Sequence, residues 1–195
     1  MRKPFKIIFV CTGNICRSPF GERVLAAALD QISPGEFEVT SAGTYGMIGY
    51  PFAPESAVLA QQYGANVENF EPRRLTEQMI RDNDLLLALT QEHRQKIISL
   101  DPSALRKTFT LRDFAHSINS LEPDTQAAST YEAWQDLVAQ AFKRRHQIVT
   151  TASESDVIDP WQQGNAAYQQ MADEMIPCLS VIVNKEKEIK NQNSF

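Results

Sequence analysis

The sequence predicts an α/β fold: a doubly wound three-layer sandwich around a four-stranded parallel sheet, plus a mostly helical insertion. Three observations predict it. Short apolar runs, each too short for a buried helix, recur along the first 111 residues. Between them, apolar residues return every three or four positions, the spacing of a helix with one covered face. Glycine, proline and capping residues punctuate the junctions. Strands alternating with helices imply a parallel sheet covered on both sides. The length, 195 residues with 43% hydrophobic and 22% charged, suits a single domain carrying an insertion.

The first run, Phe5–Val10, reads as a buried strand ending at Cys11-Thr12-Gly13-Asn14. It is too short for a signal-peptide core, and no small-residue cleavage site follows. From Pro19 onward, Phe20, Val24, Leu25, Ala28 and Leu29 have helical spacing. Ser18 and Pro19 suit an N-cap and a first helical position. Phe37–Ser41 is a second strand. A loop over 42–54 follows, marked by Gly43, Gly46, Gly49, Pro51 and Pro54. A helix from about Glu55 to Tyr63 stops at Gly64, and a short one runs from Thr76 to Asp82. Asp84–Leu89 is the third strand. Thr90 caps the next helix, which carries His93, Arg94 and Lys96, and Phe109–Leu111 is the fourth strand.

The segment from about 112 to 156 is less regular and is assigned as the insertion. In it Tyr131, Trp134, Leu137, Val138, Ala141 and Phe142 mark a helix with one buried face, the natural half of a hairpin packed on the domain. A polar stretch over 150–155 leads to Val157-Ile158-Asp159-Pro160-Trp161. A last helix spans about Asn165 to Val183, and a polar tail at about 184–195 is expected to fray.

The charge balance restricts the partners. A formal charge of -5 argues against nucleic-acid binding through bulk charge. No segment approaches the roughly 18 apolar residues of a membrane span. Cys11, Cys16 and Cys178 are an odd, low count, which points to reduced thiols and a cytoplasmic location rather than a disulfide framework.

Chemistry concentrates between Cys11 and Ser18. In a strand–loop–helix turn, successive backbone N–H groups form a concave anion site, and the helix start adds unpaired N–H groups and a positive dipole end. A phosphate-sized dianion fits there without a metal or other cofactor. Cys11, at the start of the loop and near an arginine, is placed to act as a thiolate nucleophile. Arg17 offers a planar fork for two phosphate oxygens. Ser18 can hydrogen-bond the sulfur. Gly13 and Asn14 tolerate the left-handed backbone that a tight loop requires.

The segment Val10-Cys11-Thr12-Gly13-Asn14-Ile15-Cys16-Arg17-Ser18-Pro19 closely resembles the signature of low-molecular-weight protein tyrosine phosphatases, here in its bacterial form. The resemblance implies a phosphocysteine intermediate on Cys11, phosphate held by Arg17 and by the loop from Thr12 to Ser18, and a general acid in a late Asp-Pro pair. Asp159-Pro160 fits the last role because it precedes the final helix and is followed by Trp161; Asp101-Pro102 is the competing pair. Ser41-Ala42-Gly43-Thr44 and Arg73-Arg74-Leu75-Thr76 extend the likeness. Trp161 on one side and Tyr45 and Tyr50 on the other are candidate walls for a phosphotyrosine ring. The family is typically shorter, and many tyrosine-specific members carry two aromatics after Asp-Pro where this chain has Trp161-Gln162. Ile15 bears on substrate: arginine phosphatases of similar loop carry Thr there, so Ile15 favours phosphotyrosine. Cys16 is implied as a partner for a reversible disulfide with Cys11.

The expected function is therefore hydrolysis of phosphotyrosine in proteins by a monomer or weak dimer. An arsenate reductase with Cys16 or Cys178 as relay thiols, a protein arginine phosphatase and a non-catalytic phosphate-binding module are the alternatives.

Overall fold

A computed structural model describes residues 3–124, 127–145 and 152–192. Among these residues the sheet has four strands, β1 (Phe5–Cys11), β2 (Phe37–Gly43), β3 (Leu85–Ala88) and β4 (Thr108–Thr110), in the order β2-β1-β3-β4 and all parallel. The helices are α1 (Arg17–Ile32), α2 (Pro54–Gln62), α3 (Glu77–Asp82), α4 (Gln91–Leu100), α5 (Leu111–Asn119), α6 (Thr130–Arg144), α7 (Ala152–Ser155) and α8 (Asn165–Gln192), with a 3₁₀ turn over Pro102–Lys107.

Alternation along β1 explains the three layers. Phe5, Ile7, Phe9 and Cys11 face one side, where they join residues of α1, α5, α6 and α8 in one apolar cluster. Ile8 and Val10 face the other, with Ile80 of α3 and Ile97 of α4. Both faces are dry, which is why the strands read as unbroken apolar runs. The chain leaves β1 for β2 on one side and returns to β3 on the other. The carboxyl end of β1 is thus the switch point of the sheet, where ligands bind in open α/β folds.

The caps sit where the residue types place them. Thr76, Thr90, Thr110 and Ser129 each accept the N–H three residues on, opening α3, α4, α5 and α6. Gly64 ends α2 at a φ of +76°. At α1 the expectation of Ser18 as N-cap is corrected: the helix begins at Arg17 with Cys16 as N-cap, and no side chain caps it. Pro19 still falls within the first turn, where its missing N–H costs nothing.

The segment from 112 to 156 is largely helical and packs on the sheet: α6 places Trp134, fully buried, against Phe5 of β1 and Phe37 of β2. Residues 125–126 and 146–151 of that segment, including part of the polar stretch, lie outside the described residues. The tail expected to fray from 184 is instead helical to Gln192, with 193–195 outside the described residues. Burial accounts for it. Ile182 and Ile189 lie two turns apart in the core, and Glu186 accepts the indole N–H of Trp134 at 2.8 Å and the hydroxyl of Ser33. Lys185 Nζ donates to Leu121 O at 2.7 Å. The polar composition of the tail hid three buried positions, Lys185, Glu186 and Ile189, on the helical face that Ile182 begins.

Candidate active site

The turn from β1 into α1 wraps around the sulfur of Cys11. Cys11 is 2% exposed. Its Sγ accepts the N–H of Asn14 at 3.3 Å and lies 2.9 Å from Ser18 Oγ. Asn14 Nδ2 donates to that same Ser18 Oγ at 2.9 Å, so the serine hydrogen is left to point at the sulfur; its other acceptor, Ala42 O, is at 3.5 Å. Two donors thus converge on one sulfur.

Asn14 is the keystone of the turn. It is fully buried with φ +58°, one of the few side chains suited to that region. Besides Ser18, its Nδ2 reaches Ser41 Oγ at 2.7 Å, and its Oδ1 accepts the N–H of Arg73 at 2.8 Å. Ser41 in turn donates to Glu22 at 2.5 Å. Gly13 serves differently from expectation. Its φ is not left-handed; space is what it supplies, since a Cβ there would meet Met47 Sδ at 3.0 Å. At Gly43 a Cβ would meet Thr12 O at 2.5 Å, so the end of β2 and the loop are packed backbone to backbone.

Thr12 is tied down from two directions. Its carbonyl accepts the N–H groups of Tyr45 and Gly46 at 3.0 and 3.1 Å. Its hydroxyl lies 2.9 Å from His93 Nε2, and His93 Nδ1 lies 2.8 Å from Thr90 Oγ1. Burial, with Arg17 nearby, pushes His93 down to about 3, so the ring is neutral at any working pH. His93 was legible in the sequence only as a polar residue on α4; nothing in the spacing announced that it would bridge 81 residues to the loop.

Arg17 joins the loop to the segment that carries Asp159. Its side chain is 5% exposed. Nη2 donates to Asp159 Oδ2 at 2.7 Å and Nη1 to Val157 O at 3.3 Å. Its Nε is buried without a hydrogen-bond partner among the described residues. Asp159, half exposed, also accepts the N–H of Trp161 on its Oδ1 at 3.2 Å. Asp101, the competing aspartate, caps the 3₁₀ turn through Ser103 and pairs with Arg81, away from the loop.

Cys11, Thr12, Gly13, Ile15, Cys16, Arg17, Tyr45, Met47, Asp159 and Trp161 line one pocket of about 150 Å³. That volume suits a phosphoryl group with part of a ring and is small for a nucleotide. Tyr45 and Trp161 are exposed aromatics on this rim, whereas Tyr50, the third candidate, is exposed but does not line it. Met47 is a lining residue that sequence reasoning missed. Asn14 and Ser18 stand behind the pocket and hold the sulfur. Cys16 is buried with its Sγ 3.6 Å from Tyr168 OH, and burial pushes its thiol up to about 12. Cys11, Cys16 and Cys178 are all free thiols. No group of three or more potential metal ligands occurs among the described residues.

The family model for low molecular weight phosphotyrosine protein phosphatases matches residues 6–153. This chain belongs to that family. The matched span ends short of Asp159. Among relatives, the low molecular weight protein-tyrosine-phosphatase Etp of Escherichia coli (strain K12) is 35% identical over 126 residues, 65% of this chain and 82% of that protein. The probable low molecular weight protein-tyrosine-phosphatase AmsI of Erwinia amylovora is 33% identical over 141 residues, 71% and 92% of the two chains. In fold the chain is similar to the YwlE arginine phosphatase from Geobacillus stearothermophilus, with a TM-score of 0.69 over 98% of this chain and 99% of that one. At 23% identity that likeness is one of architecture.

Proposed function

We propose that this chain hydrolyses phosphotyrosine in proteins through a phosphocysteine intermediate, with Cys11 as nucleophile, Arg17 as phosphate clamp and Asp159 as general acid and base. The observation that supports it most is the sulfur of Cys11 held by the Asn14 N–H and Ser18 Oγ at the floor of a pocket whose rim carries the Arg17–Asp159 pair. The thiolate attacks phosphorus as the bond to the tyrosyl oxygen breaks, and that oxygen takes the proton of Asp159. Water, giving its proton back to Asp159, then attacks phosphorus; the S–P bond breaks and phosphate leaves. The loop N–H groups and Arg17, whose buried Nε gains an acceptor when an oxyanion binds, stabilise the equatorial oxygens in both steps.

Ile15, 3% exposed and lining the pocket, supports the aryl ester over the more polar phosphoarginine. The thiols speak against an arsenate reductase. Burial pushes Cys178 up to about 11 as well as Cys16 to about 12, so neither is a ready relay thiolate. Among the described residues no helix is long and apolar enough to cross a membrane. The free thiols favour a reducing, cytoplasmic setting, and the contact of α6 with β1 and β2 favours a single domain over a separate insertion.

Phosphotyrosine, phosphoserine and phosphoarginine peptides, compared on the wild type and Cys11→Ser, test the reading. The wild type is expected to prefer phosphotyrosine and Cys11→Ser to lose activity at least about a thousandfold. Turnover that survives Cys11→Ser sinks the assignment.

A further inference from the structure

The segment carrying Asp159 has no helix or strand of its own: residues 156–160 lie between α7 and α8 and hang on bonds from elsewhere. On the loop side, Val157 N–H donates to Leu89 O at 2.8 Å and Val157 O accepts from Arg17. On the other side stand two residues with no place in the chemistry above. Glu174, on the third turn of α8, accepts the N–H of Ile158 on Oε2 at 2.9 Å. Arg112, on α5, donates to Asp156 O at 3.2 Å and brings its Nη1 to 3.9 Å from that same Glu174 oxygen. Gln170 holds the remaining carboxylate oxygen, Oε1, at 2.9 Å, which fixes the rotamer. Glu174 is 20% exposed and Arg112 33%, so the pair is only partly screened by water.

Ile158 immediately precedes the acid. An acceptor on its N–H fixes the peptide plane from which the Asp159 side chain springs. A charged acceptor is also a stronger and more directional one than a carbonyl. We propose that Glu174, braced by Arg112 and Gln170, is a positioning residue that holds the acid segment where Asp159 reaches both Arg17 and the leaving oxygen. The proposal rests on the reading of Asp159 as general acid. It also gives α5 a part in catalysis: a helix at the start of the segment assigned as an insertion braces the acid at a distance.

The test is the leaving-group dependence of kcat/KM, which covers P–O cleavage, on aryl phosphates from phenyl to 2,4-dinitrophenyl phosphate. A poor leaving group needs the acid and a good one does not. Glu174→Ala is expected to lose about tenfold on phenyl phosphate and less than about twofold on the dinitrophenyl ester. Glu174→Gln, whose amide oxygen can still accept, should recover most of the loss, and Arg112→Met should show the same pattern more weakly. The double variant Asp159→Asn with Glu174→Ala should be no slower than Asp159→Asn alone, because a misplaced acid and an absent one cost the same step. Thermal melts accompany each variant; if Glu174→Ala does not fold, Arg112→Met carries the same comparison, alone and with Asp159→Asn. Equal losses on both esters, or losses that multiply with Asp159→Asn, overturn the positioning role and leave the acid standing. Asp159→Asn without leaving-group dependence overturns the acid itself.

Discussion

The phosphate loop and the acid segment sit on opposite sides of one pocket and are held in different ways. The loop spans eight consecutive residues, Cys11 to Ser18, and closes on itself around the sulfur, Asn14 to Cys11, Asn14 to Ser18 and Ser18 to Cys11, before Ser41, Arg73, Tyr45, Gly46 and His93 anchor it from outside. The segment carrying Asp159 takes bonds from Leu89 and Gln91, Arg17, Arg112 and Glu174, on four other stretches of the chain. The bonds the loop makes within itself are specified by a short motif. A borrowed segment is specified by the whole fold, so damage far from Asp159 can reach it while the loop stays intact.

Arg17 belongs to both, and its replacement has the largest expected effect. Arg17→Lys removes the fork from the phosphate and the grip on Asp159 and Val157 together. A loss of about 100- to 1000-fold in kcat/KM is expected, with little change in melting temperature. A loss confined to KM would show that the guanidinium only gathers substrate.

The joint between α6 and α8 sharpens the contrast from the side of stability. Glu186→Ala leaves the Trp134 indole N–H and the Ser33 hydroxyl without their buried acceptor. It should cost about 1–3 kcal/mol in urea unfolding. Below the unfolding midpoint, activity on phenyl phosphate should be unchanged; a selective loss on poor leaving groups would mean that this joint also steers the acid.

The smallest effect concerns His93. Its folded-state value, about 3, lies below the ordinary 6.5, so the unfolded chain binds this proton first on acidification. Its contribution to stability is full above 6.5 and is lost as pH falls toward 3. The stability difference between wild type and His93→Gln should therefore shrink from pH 7.5 to pH 4.5, measured by melts at both. A difference independent of pH would show that His93 is not the neutral bridge between Thr90 and Thr12.

Legibility in the sequence follows the same divide. Strand runs, helix caps and the Cys11–Ser18 loop declare themselves because their determinants are contiguous: β1 extends one residue past the predicted Phe5–Val10, and Thr90 caps α4 as its sequence predicts. Glu174, His93 and Arg112 do not, because each acts across a gap in sequence that only the folded sheet closes. Met47 was hidden by its place in a glycine-rich loop, and the helical end of α8 by a composition that resembles a solvated tail. Asp159 was found through the family's Asp-Pro landmark; a composition of aspartates and prolines alone leaves Asp101 equally eligible.

The ion pair between Arg17 and Asp159 has a consequence for exchange at the site. One guanidinium nitrogen already holds an anion before any phosphate arrives. A phosphate monoester that enters meets a cation it must share with Asp159. The free pocket thus holds Arg17 with Asp159 as its anionic partner. The carboxylate that competes on entry is also at hand on exit, to take back the arginine as inorganic phosphate departs.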